Sequence, residues 1–106
     1  MALETEPWDP AVRLSAPEAQ AAYLEAAFED GDPDLIVAAI GDVARARGMS
    51  SVAGSASVSR EALYKAFRPG GNPTLATLAS VMKALGYRLS VAPVLAAGSD
   101  SRPSAG

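Results

Sequence analysis

The stretch SSVAGSASVSREALYKAFR, residues 50–68, decides how this chain is read. Val52, Ala53 and Ala56 recur at helical spacing and predict a short helix capped by Ser50 or Ser51. Ser57 and Val58 form a tight turn, with Val58 as its buried pivot. Ser59 then caps a second helix over residues 60 to 67, where Glu61 suits the positive helix start. Leu63 and Phe67 stand four residues apart and face the core. That leaves Arg60, Tyr64, Lys65 and Arg68 outward. A helix with such a cationic, hydroxyl-rich leading edge suits the major groove of DNA, where side chains can reach base edges.

Upstream, Ser15 and Glu18 have the spacing of a capping box and open a first helix. Ala19, Ala22, Tyr23, Ala26 and Ala27 are its expected buried face. The run EDGDPD, residues 29–34, ends that helix and starts the next. Gly31 supplies a left-handed residue, Asp32 a cap and Pro33 the first helical position. The second helix carries Leu35, Ile36, Ala39, Ile40 and Val43 inward and stops at Gly48, with Arg45 and Arg47 favourable in its last turn. Downstream, the loop PGGNP, residues 69–73, precedes a fifth helix from about Thr74, with Leu75, Leu78, Val81, Met82 and Leu85 inward. The period then changes to two: Tyr87, Leu89 and Val91 alternate with Arg88 and Ser90, which predicts a short strand ended by Pro93. Its backbone needs a partner: a symmetry mate, another protein's sheet, or none if it lies on the surface as a tail. The expected class is all-α, five helices with a short C-terminal β-strand. Residues 1–14 form an arm whose Trp8 packs across the helices, 15–94 the domain, and 95–106 a disordered tail.

Composition narrows the chemistry. The chain has 106 residues, enough for one domain with a modest core. Its 49% apolar content is rich in Ala and only 6% of residues are aromatic, which favours packed helices over a sandwich. There is no Cys and no His. A thiolate nucleophile, a disulfide framework and the usual general base are therefore absent, and we expect neither an enzyme nor a cofactor or metal. The N-terminal residues are acidic and lack a signal-peptide pattern, and no apolar run approaches a membrane span, so a cytoplasmic location is expected. The net charge of -3 hides a division. Residues 1–42 hold ten acidic residues against one basic, and residues 43–106 hold eight basic against two acidic. A phosphate backbone feels that local potential rather than the average. Clustered acidic helix starts in the first half would give the same count.

For DNA, contacts that position must be separated from contacts that specify. Ser50, Ser51, Arg68, Asn72 and Thr74 are placed for phosphate oxygens, with Arg45 as a further charge. Ser59, Arg60, Glu61, Tyr64 and Lys65 are placed for base edges. Arg60 has the fork that guanine accepts, and Glu61 can take a cytosine amino hydrogen or simply stabilise the helix end. Each of these residues also fits an ordinary solvated helix face.

The string VSREALYKAF followed by NPTLATLASVMKALG resembles the Xre-type, lambda-repressor-like helix-turn-helix. More narrowly, the DGDP, ARARGMS, SREALYK and GNPTLATL segments, in that order, resemble the addiction-module antidote family of HigA-type antitoxins. The resemblance spans residues 16 to 91. It implies a cytoplasmic protein that neutralises a RelE/ParE-like toxin and represses its own operon as a homodimer on double-stranded operator DNA. A free-standing repressor of the same domain type, or a helical interaction module without DNA binding, are the alternatives. Two positions depart from the family pattern. Ser57 stands where Gly is usual, and Ser51 where Gln is frequent, which implies one phosphate-clamping contact fewer.

Overall fold

The computed structural model describes residues 14–94, and within them every regular element is helical. These are α1 (Pro17–Asp30), α2 (Pro33–Arg47), α3 (Met49–Ala56), α4 (Arg60–Ala66) and α5 (Leu75–Ala84). Of the expected arm only Leu14 is described, and it is buried in the core; residues 1–13, Trp8 included, and the expected tail lie outside the described residues. No described helix is long and apolar enough to cross a membrane.

Local chemistry sets most of the boundaries. Gly31 is left-handed at φ 87°, and its N–H bonds the Ala27 carbonyl and ends α1. Asp32 accepts from the Asp34 N–H while Pro33 takes the first position of α2. Ser59 caps α4 through the Ala62 N–H at 2.9 Å, and Thr74 caps α5 through the Thr77 N–H at 3.1 Å. Two expected caps are overturned. α1 starts at Pro17 with Ala16 as a cap that makes no side-chain hydrogen bond, so Ser15 stands one residue too early to close a box with Glu18. α3 starts at Met49 with Gly48 before it, which puts Ser50 and Ser51 inside the first turn, exposed.

The helices wrap one core. α1 packs on α2, α2 on α3, and α3 on both α4 and α5. Ile40, Val43, Leu63, Phe67 and Val81 are its largest fully buried side chains. α2 approaches the end of α4 through Gly41, where a β-carbon would stand only 2.7 Å from the Phe67 carbonyl oxygen. Even alanine would force the two segments apart there.

The buried face of α1 differs from expectation. Ala22 and Ala26 are exposed, while Gln20, Leu24 and Ala27 are buried. Gln20 is the key to this. Its Nε2 donates to the Leu14 carbonyl at 2.7 Å, and its Oε1 accepts from Arg47 Nε at 2.6 Å. Arg47 also donates to the Leu85 carbonyl at 3.0 Å, so one network joins α1, the end of α2 and the end of α5. A buried amide is tolerable because its donor and acceptor sides both find partners. Tyr23 adds a second tie by donating to Asp42 at 2.6 Å.

Leu35 and Leu75, expected inside, are 43% and 73% exposed. Both lie in the first turn of a helix, ahead of the level at which its neighbours pack. The expected C-terminal strand is also corrected. Residues 87–94 form no strand, because a strand exists only as a pair and no other described segment is extended beside it. Tyr87 and Leu89 instead pack half-buried against the core, with Arg88 and Ser90 outward.

Candidate nucleic-acid interface

α3 and α4 are joined by three residues, Ser57 to Ser59, and the first of them fixes the angle between the helices. Ser57 is left-handed at φ 59°, ψ 40°, the one non-glycine residue with positive φ among those described. Its N–H bonds the Gly54 carbonyl, and the Val58 N–H bonds the Ala53 carbonyl at 3.0 Å. That pair of bonds is a Schellman closure, with Val58 half-buried against the core beneath it. The same closure ends α5, where Gly86 at φ 93° takes the left-handed place and Tyr87 N–H bonds Met82. One motif thus occurs twice, once with Gly and once with Ser. Left-handed geometry costs a residue with a β-carbon roughly 1–2 kcal/mol, partly offset by glycine's larger entropy loss on folding. Ser57→Gly is therefore expected to raise stability by about 0.5–1 kcal/mol in a urea titration, with unchanged slope.

α4 is anchored by its inner face. Leu63 and Phe67 are completely buried, so the opposite face must be exposed. Glu61 and Lys65 lie on it, while Arg60, in the first turn, and Tyr64 flank the buried side and are exposed as well, with the Ser59 cap at the helix start. Arg60 stands over the Tyr64 ring at 5.5 Å from its centroid and donates to the phenol oxygen at 3.5 Å. The hydrogen bond to Tyr64 is the main cause of an Arg60 pKa held above its ordinary value.

Of the residues expected at phosphates, Ser50, Ser51, Arg68, Asn72 and Thr74 are all exposed. Thr74 is partly committed, since its hydroxyl accepts from the Thr77 N–H and donates to the Thr77 hydroxyl. Arg45 is committed further, in an ion pair with Asp42 at 2.9 Å. Sequence reasoning used Arg47 only for its charge at a helix end. Its carbonyl and amide partners lie 38 and 27 residues away, so no local signal could have found them. What the geometry defines is a small all-helical domain that presents one short cationic helix outward from a rigid core.

The chain belongs to the family described as "probable addiction module antidote protein", whose family model matches residues 4–93. An uncharacterized protein of Haemophilus influenzae is 43% identical over 91 residues, which cover 86% of this chain and 94% of that relative. No solved structure matches the chain. A toxin partner of some kind follows from the family.

Proposed function

We propose that the chain is a DNA-binding antitoxin of a bacterial type II toxin–antitoxin pair, built on a lambda-repressor-like helix-turn-helix domain. In this reading α3 and α4 are the motif, and α4 enters the major groove of the operator in the cytoplasm. The toxin is of the RelE/ParE-like class, and operator binding represses the operon that encodes both proteins. The observation that carries the DNA half is the exposed side of α4, where Arg60, Tyr64 and Lys65 are all open to solvent and Arg60 stands over the Tyr64 ring. Arg60 has the bidentate geometry for guanine, while Ser50, Ser51, Arg68, Asn72 and Thr74 would fix register on the phosphates. Ser59, the cap of α4, and Glu61 complete the base-facing set. Membership of an antidote family favours a toxin partner over a free-standing repressor.

Fluorescence anisotropy with the DNA upstream of the gene tests this reading. Affinity should fall linearly on a log–log plot against salt, by about 0.9 per phosphate neutralised. Binding without salt sensitivity, or none, would sink the DNA half. The toxin half fails if no small basic protein is encoded beside this gene, or if one is and does not form a complex with the chain on co-expression.

A further inference from the structure

An apolar groove of about 640 Å³ opens between α1 and the segment that follows α5, lined by Leu24, Met82 and Leu89. Phe28, one helical turn after Leu24, edges the groove and keeps 36% of its surface exposed. Folding gains nothing from leaving that ring open, and apolar surface continuous with a groove marks an interaction site.

The α1 rim of the groove is acidic. Glu25 and Glu29 line it one turn apart, and neither is in an ion pair among the described residues. Like charges at that spacing weaken a helix rather than support it. The other charged residues of α1 are Glu18 and Asp30, so the helix holds no cation to offset them. Asp32 and Asp34 follow, both exposed. Arg88 is the sole cation among the residues that line the groove.

We propose that this groove is where the toxin docks. A toxin segment inserts apolar side chains beside Phe28 and sets Lys or Arg side chains against Glu25 and Glu29. The proposal rests on the toxin half of the reading above and names the surface and chemistry of that contact. Other occupants fit worse. DNA or an anionic lipid surface would meet the carboxylates of α1. A second copy on a two-fold axis would set this rim against itself, carboxylate to carboxylate. A cationic protein surface meets no such repulsion, and the antidote family implies a toxin partner.

The toxin encoded beside this gene, purified from the co-expressed complex, is the probe. Because the chain has no cysteine, Ala92→Cys can carry a single environment-sensitive fluorophore at the groove, with Ser55→Cys on the exposed side of α3 as control. Toxin should shift the emission at position 92 to the blue and leave that at position 55 unchanged. Phe28→Ala should raise the toxin dissociation constant about tenfold or more, as loss of an aromatic anchor does. Glu25→Gln combined with Glu29→Gln should slow association and flatten its salt dependence. Melting curves should show that each variant folds as the parent does. Silence at position 92, an equal shift at position 55, an unchanged salt dependence, or a Phe28→Ala affinity within about threefold of the parent would overturn the docking site alone. A blue shift that grows with chain concentration in the absence of toxin gives the groove to a second copy and overturns it too. Failure of the parent chain to bind toxin removes the toxin reading, and this proposal with it.

Discussion

Phe67→Ala, which truncates the largest fully buried side chain among the described residues, is expected to lower the unfolding free energy by about 3–5 kcal/mol. Phe67 is fully buried and follows directly on α4, where its N–H bonds Leu63 and its carbonyl abuts Gly41 of α2. Deleting the ring removes its burial and leaves a cavity in the core beside α2 that cannot close without moving the end of α4. A domain of this size holds roughly 5–10 kcal/mol in total, so the loss is a large fraction of it. Thermal melting should show a fall of well over about 10 °C, since 1 kcal/mol shifts a small domain by roughly 4–8 °C. A change under about 1 kcal/mol would mean that the core closes elsewhere.

The Arg60→Ala, Lys65→Ala double variant should behave in the opposite way. Both residues are exposed, so stability should stay within about 0.5 kcal/mol of the parent. Operator affinity should fall a hundredfold or more. A bidentate guanine contact contributes about 1–3 kcal/mol and a charged phosphate contact adds to it, at about 1.4 kcal/mol per tenfold. If Lys65 reaches a phosphate, the salt dependence should also lose about one unit of slope. Toxin binding should persist, because Arg60 and Lys65 lie on the face assigned to DNA. Anisotropy and melting curves on the same preparation check both halves, and an affinity within threefold of the parent would remove α4 from the DNA-reading role.

The contrast between these two variants matches what the sequence made legible. The inner and outer faces of α4 could be assigned from Leu63 and Phe67 alone, because a helix that buries two positions four apart has no freedom left in its facing. The Gly31–Asp32–Pro33 junction, the Ser59 cap and the start of α5 near Thr74 were legible for a similar reason: each is closed by groups within a few residues. α1 was not. Its sequence is so rich in alanine that several faces look equally apolar, and the face actually chosen depends on Gln20 meeting Arg47 from another helix. The segment after α5 alternates as a strand would, but alternation predicts side-chain direction and says nothing of a pairing partner. At the candidate interface, exposure could be anticipated for every named residue. The placing of Arg60 on Tyr64 could be guessed from their spacing, whereas the left-handed conformation of Ser57 runs against the usual preference of serine.

The contact at Gly41 has a mechanical consequence. Since the α2 backbone rests almost directly on the Phe67 carbonyl, α2 is the datum from which the height of α4 is set. The gap behaves like a seat cut for no shim at all. Position 41 never reaches the solvent, yet it gauges how far the outward helix stands proud of the molecule, and thus how deeply its side chains can sit in anything they touch.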